Sequence, residues 1–344
     1  MLLRIAQVTA ADVTTVRVIS RETARTPSTS PPSTASPFWR DSWRLTAWMG
    51  TRVFRARSRV ATATFSPMSS RPVTTLDKSD VLAGLFAVWD EIDTVLAGLT
   101  DEQWRAQTPL PGWTVHDVTA HLVGTESMLG GAAPPEVDVD ISTLEHVHND
   151  IGVLNERWVR TLRGISPTDL LDRFRTTTRQ RREQLTAMSD DDWNKVTATP
   201  AGPDTYGRFM RVRNFDCWMH LQDVRDALGQ PAADPAGPAA SLALDEMTAS
   251  MGFVVGKLGG APDGSRVAIE LTGPLARTIN IAVDGRGQVV DDFGDQQPTA
   301  SISLDALLFT RLAGGRTAVD HAAIGYGGDE AVGRRIVERL NYVI

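Results

Sequence analysis

Cysteine is almost absent: Cys217 is the single one in 344 residues. An internal disulfide needs two, so nothing here calls for an oxidising compartment. A zinc site built from several cysteines is excluded by the same count. Long apolar runs are missing too. No stretch reaches the roughly 18 uninterrupted apolar residues that a spanning helix requires. The expectation is therefore a cytoplasmic protein with no membrane partner, a monomer or a homodimer. Histidine is scarce, at six residues, so each can be weighed. Apolar residues make up 42%, enough for a real core, and the length suits two domains of ordinary size.

The net charge of −7 is unevenly spread. Residues 1–70 hold ten Arg, no Lys and three acids, a balance of +7, which leaves −14 for the rest. An acidic body with no basic patch interleaved with aromatics argues against nucleic acid. The first segment includes RTPSTSPPSTASP, which has no packing logic. Its Arg- and Ser-rich composition matches a transit peptide, and Arg clusters can bind nucleic acid. The blander expectation is that 1–70 is a disordered or mis-annotated extension, with the native start at Met68.

Helical periodicity begins near Asp77. Val81, Leu85, Val88, Ile92 and Leu96 form one apolar stripe on a helix of about five turns. Thr114, with Asp117 three residues on, resembles a capping box opening a second helix that Gly130 and Gly131 close. A third helix is expected over 142–162, striped by Val147, Ile151, Leu154, Trp158 and Leu162. Ser166 and Pro167 start a fourth. NFDCWMHLQDVRDALG lies in a fifth, ending at Gly229 with Pro231 beyond. Long amphipathic helices with short links predict an antiparallel bundle. After the linker PAADPAGPAA and a helix over 241–258, the period changes to two. Val267, Ile269 and Leu271 alternate, as do Ile279, Ile281 and Val283, then Ala300, Ile302 and Leu304, with a hairpin signal at DGRG. The fold class is thus α+β: a helical bundle followed by a small domain with a mostly antiparallel sheet.

Helix geometry sorts the histidines. His121 shares the inward face of the second helix, whereas His116 is about 140° round it. His146 and His148, two apart, would fall on opposite sides of a helix. His321 is expected in a solvated loop. On the fifth helix Asp216 and His220 form a row beside the apolar stripe of Cys217, Leu221, Val224 and Leu228, and Asp223 continues it. Ligands at i and i+4 with a third from another helix would leave an open coordination position, as in catalytic zinc sites. The bland alternative stays open. Such a pair is commonly a surface hydrogen-bonded couple, and a lone inward histidine is commonly a satisfied core residue. Asp223 reads more readily as a surface acid than as a group orienting a ligand. Cys217 reads as packing; Trp113, Trp158 and Trp218 could line a pocket but read more readily as packing the bundle. Arg266 and Arg277 could face an anionic substrate, but surface arginines are common.

LPGWTVHDVTAHL, followed about 100 residues later by RNFDCWMHLQDVRDALGQP, resembles the actinobacterial mycothiol-dependent maleylpyruvate isomerase family. GAPDGSRVAIELTGPLARTINIAVDG and GDEAVGRRIVERLNYV continue the likeness, which covers roughly 75–344. The resemblance implies a DinB-like metal-binding four-helix bundle over 75–230 and a sterol-carrier-like α+β domain over 241–344. It implies that His121, Asp216 and His220 bind a divalent metal, zinc by ligand type. The characterised isomerase has Glu where this chain has Asp216. It further implies mycothiol as thiol co-substrate and a small electrophile as substrate. A metal-stabilised thiolate would add to an activated double bond, making the protein an isomerase or a thiol S-transferase. The rival reading is a non-catalytic metal-containing module that binds or senses a small molecule. Neither the substrate nor any catalytic residue beyond the metal ligands follows from the resemblance.

Overall fold

The computed structural model describes residues 73–231 and 235–343, so the expected N-terminal extension and the start at Met68 lie outside the described residues. Asp77 caps the first helix, α1 (Lys78–Ala97), by accepting from the Asp80 amide, and the predicted stripe is its buried face. A single turn, α2 (Asp101–Trp104), follows. The Thr114–Asp117 pair makes a complete capping box on α3 (Val115–Leu129). Then come α4 (Asp150–Leu162), α5 (Pro167–Ala187, capped by Ser166) and the turn α6 (Asp190–Trp193). A two-strand ribbon, β1 (Val196–Thr197) with β2 (Asp204–Thr205), leads into α7 (Tyr206–Leu228). Gly229, at φ 62°, ends α7 in the left-handed conformation.

The second half opens with α8 (Pro238–Phe253), whose last turn relaxes into a π-type turn over Val254–Leu258. Four strands follow: β3 (Arg266–Thr272), β4 (Arg277–Asp284), β5 (Arg286–Val290) and β6 (Ala300–Asp305). Next are α9 (Ala306–Ala313), β7 (Gly325–Gly328) and α10 (Glu330–Glu338). The sheet order is β5-β4-β3-β6-β7. Only the β3–β6 pairing is parallel among the described strands of this sheet. The alternating residues named above all point to one face, and each is buried. The fold is α+β, with a helical N-terminal part and a sheet-containing C-terminal part. No helix of the described residues is long and apolar enough to cross a membrane.

Two helices organise the packing. In α7 every residue from Met210 to Leu221 is buried. It packs on α1 and α8 and touches α3. In turn α8 contacts α1 on one side and β4 and β5 on the other. Buried charge joins α7 to α8: Arg208 donates to Glu246 at 2.5 and 2.8 Å, and Arg211 donates to it at 2.9 Å. Where α3 meets α4, Gly124 lies flat against Trp158.

Several expectations need correction. The third helix does not begin at 142. Residues 141–143 form one 3-10 turn, and α4 starts only at Asp150, because Asn149 caps it through the Gly152 amide. His146 and His148 therefore sit in irregular chain, and an argument from opposite helix faces does not apply to them. The helix expected over 241–258 starts earlier, at Pro238. Strand β7 has the sequence GYGG, with no alternation to reveal it. His321 is not in a solvated loop. It lies in a 3-10 turn, half-buried, 2.7 Å from the Tyr326 hydroxyl.

A Cβ on residue 124 would stand 2.4 Å from Trp158 Cβ and 2.5 Å from its Cγ. Gly124→Ala should therefore destabilise the protein by about 1–3 kcal/mol through overpacking, read as a lower urea midpoint at constant m-value. An unchanged midpoint would mean that α3 and α4 are not held at this spacing.

Candidate metal centre and its cavity

His121 comes from the middle of α3, and Asp216 and His220 from adjacent turns of α7. The structure brings the three together, with one potential ligand atom from each lying within 4.8 Å of the others. All three are buried, at 2%, 2% and 1% exposure. His121 Nε2 is 3.2 Å from Asp216 Oδ2, and His220 Nε2 is 3.6 Å from Asp216 Oδ1. The two imidazoles meet edge-on, with ring centroids 4.8 Å apart.

The charges around this cluster are compensated by named partners. Arg213, one turn before Asp216, donates to it and also to Glu126 on α3, at 2.9 and 3.0 Å. Glu126 in turn accepts from Arg181 on α5 at 3.2 Å. Burial opposes ionisation of Asp216, yet Arg213 and the flanking imidazoles hold its carboxyl well below the usual range. Burial pushes His121 down to about 3 despite Asp216, so it is neutral near pH 7 with a lone pair available. Cys217 faces Arg213 at 3.5 Å, and burial drives its thiol up to about 12. A thiol held protonated in this way is packing, as expected, and not a nucleophile.

Asp223 overturns the surface-acid expectation. Its exposure is 0%. It lies 3.0 Å from His220 Nδ1 and accepts two hydrogen bonds of 2.8 Å from Arg316, which follows α9. Although burial opposes it, Arg316 brings the Asp223 carboxyl down to about 2. Asp223 thus fixes the His220 tautomer, with the proton on Nδ1 and Nε2 left as the acceptor. Helix spacing places Asp223 in the row of Asp216 and His220 but does not show that Arg316 covers it, while Asp226, three residues on, pairs with Arg311 at the surface.

A cavity of about 790 Å³ opens beside the cluster. Trp113, His146, Glu156 and His220 line it from the helical part, and Arg316 and Asn341 from the C-terminal part. Of the two readings of Trp113, pocket lining and packing, the structure supports both, since its ring centroid lies 5.3 Å from that of His121 and 6.1 Å from that of His220, and it forms part of the cavity wall. Trp218 remains a core residue. Trp158 packs against α3. Neither Arg266 nor Arg277 lines the cavity. Arg266 donates to the Gln297 carbonyl, and Arg277 pairs with Asp245. His116 is turned away, 3.1 Å from the Ile165 carbonyl.

The helical part and the sheet-containing part each match a domain of one known family. Residues 85–225 match the mycothiol maleylpyruvate isomerase N-terminal domain, and residues 241–335 match the C-terminal domain of the same family. The chain belongs to the mycothiol-dependent maleylpyruvate isomerase family. Uncharacterized proteins from two strains of Mycobacterium tuberculosis are each 28% identical over 204 residues, spanning 59% of this chain and 76% of their own length. The crystal structure of the mycothiol-dependent maleylpyruvate isomerase shares the fold, at TM-score 0.50 and 15% identity, over 73% of this chain and 93% of that one. A histidine-to-alanine mutant of that isomerase aligns over the same shares at TM-score 0.50 and 14% identity.

The burial of neutral His121 has a measurable consequence. Its proton affinity is lower folded than unfolded, so between pH 6.5 and about 3 the unfolded chain binds the extra proton and stability falls as pH falls. In metal-free protein kept in chelator, this contributes about 1 kcal/mol per pH unit below about pH 6. Urea unfolding at pH values down to about 5, above the range where carboxylates titrate, should show that slope, and His121→Gln should flatten it. A variant as pH-dependent as the parent would show that His121 is not the responsible group.

Proposed function

We propose that the protein is a divalent-metal-binding, mycothiol-dependent enzyme that directs a thiolate at a small electrophile, as an isomerase or a thiol S-transferase. The observation that carries this reading is the convergence of His121, Asp216 and His220 within 4.8 Å, at the edge of a cavity that His220 also lines. The donor set fits a metal. His220 Nε2 is buried with no hydrogen-bond partner, an arrangement that costs free energy unless something binds there. Its other nitrogen is occupied by Asp223, the usual arrangement for a metal-ligating imidazole. Two imidazole nitrogens and one carboxylate suit zinc.

In this reading His121, Asp216 and His220 hold the ion, within a helical domain over 75–230. The domain over 241–344 supplies the far wall of the cavity. A bound metal would supply Lewis acidity and favour the thiolate form of a thiol beside it. The remaining contributions come from the chain itself. Arg213 and Glu126 keep Asp216 ionised and oriented, Asp223 and Arg316 hold His220 in the ligating tautomer, and Trp113 excludes water from the imidazoles. Mycothiol is the expected thiol on family grounds, and the cytoplasm is the expected location.

Purified protein should carry about one divalent ion per chain. His121→Ala and His220→Ala should abolish this, and Asp223→Asn should weaken metal affinity by about 10- to 100-fold. Elemental analysis and competition with a chromophoric chelator measure both. Metal content that is absent from the parent, or unchanged in the two histidine variants, refutes the site. Thiol consumption or isomerisation is then assayed with mycothiol, maleylpyruvate and other electrophiles. Tight thiol binding without turnover of any of them would instead make the protein a binding or sensing module.

A further inference from the structure

A second polar constellation lines the same cavity. Glu156, on α4, is 1% exposed and accepts from Trp113 Nε1 at 2.6 Å and from Arg160 at 3.3 Å. Oε1, the oxygen that Trp113 donates to, also lies 2.9 Å from His146 Nε2. His146 is 27% exposed and borders the cavity, as do Glu156 and Trp113. Through the Trp113 indole, this group is one ring away from His121 and His220. The loop that carries His146 is shaped to receive it. Gly112, at φ 77°, presents bare backbone to the ring, and a Cβ there would stand 3.3 Å from His146 Cε1 and 3.4 Å from its Nδ1, so glycine keeps that nitrogen uncovered. A buried carboxylate that accepts from one imidazole nitrogen fixes the tautomer, leaving Nδ1 as the basic atom of the neutral ring. Among the described residues that Nδ1 has no hydrogen-bond partner. Orienting acid, histidine and open nitrogen are the parts of a general acid–base device.

We infer that His146, oriented by Glu156, is the proton carrier of this site; the inference rests on the function proposed above. His146 Nδ1 takes the proton from the thiol S–H, and the sulfur keeps the electron pair. The sulfur then bonds to the activated alkene carbon as the carbon–carbon π pair shifts toward the conjugated carbonyl oxygen. His146 delivers the proton to that oxygen, giving a neutral enol. Reversal returns the proton to Nδ1, re-forms the double bond after rotation and expels the thiolate, which takes the proton back from Nδ1, so that thiol, histidine and electron count are restored. In the transferase outcome the proton ends on the adduct carbon and the carbon–sulfur bond remains. Glu156 acts through His146 and is a positioning residue.

The test uses the metal-loaded full chain with mycothiol and the electrophile panel. His146→Gln should lower kcat by about 10²-fold, with metal content unchanged, KM within a few-fold, and part of the rate restored by added imidazole. Glu156→Gln should lower kcat in the same direction and change the pH–rate profile. A second readout needs no turnover: diethylpyrocarbonate acylation of His146, mapped by mass spectrometry, should be suppressed by bound mycothiol. Wild-type turnover matched by His146→Gln, or acylation that mycothiol leaves unaltered, overturns the inference and leaves the proposed function intact. Metal-loaded wild type that turns over none of the electrophiles overturns the proposed function, and the inference with it.

Discussion

Asp216 is a carboxylate at the centre of a helix that is buried on every side, and the structure around it is arranged to balance that one charge. Burying an isolated carboxylate is far too unfavourable to persist, so partners must be close and well hydrogen-bonded. Arg213 supplies the first. Its guanidinium also needs a carboxylate, and Glu126 provides it, which in turn requires Arg181. The outcome is a run of alternating charge through α7, α3 and α5. On the other side of Asp216, His220 leads to Asp223 and then to Arg316 from the C-terminal part. Removing one member would strand the next, so this network demands a specific arrangement of helices more than it adds stability.

The same chain of partners explains why the cavity has walls from both parts of the protein. Arg316 reaches Asp223 only because the segment after α9 packs over α7, and Asn341 closes the same side. The buried pairing of Arg208 and Arg211 with Glu246 holds α7 against α8, and α8 carries the sheet. The carboxylate that fixes the His220 tautomer is therefore itself held by a residue 93 positions away. The opposing wall is built locally, by the Gly112–Trp113 loop, the residues before α4, and Glu156.

Helix starts marked by short-range chemistry were legible in the sequence: Asp77, the Thr114–Asp117 box, Ser166 with Pro167, and the stop at Gly229. The three alternating strands and the DGRG hairpin were legible for the same reason, since period and turn chemistry are local. The start of α4 was missed because Val147 happens to fall in register with the stripe, while Asn149 provides a cap inside it. Strand β7 was missed because three of its four residues are glycine. In the site, the row of Asp216, His220 and Asp223 was visible as helix spacing. The rank given to its members was not all correct. Asp223 looked like a surface acid because sequence spacing does not show what packs over a helix.

By itself, then, the sequence determined the class of fold, the position of most helices and strands, and the set of side chains able to meet an ion, because periodicity and capping depend on residues within a few positions. Only the tertiary structure decided that His121 meets Asp216 and His220, that Asp223 and Arg316 orient one of them, and that Trp113, His146 and Glu156 share their cavity. Several of those relations span long stretches of chain: Trp113 with Glu156 across 43 positions, Asp223 with Arg316 across 93, and His121 with Asp216 across 95. They depend on burial, which selects a charge partner by proximity in the fold and leaves no mark on the local sequence.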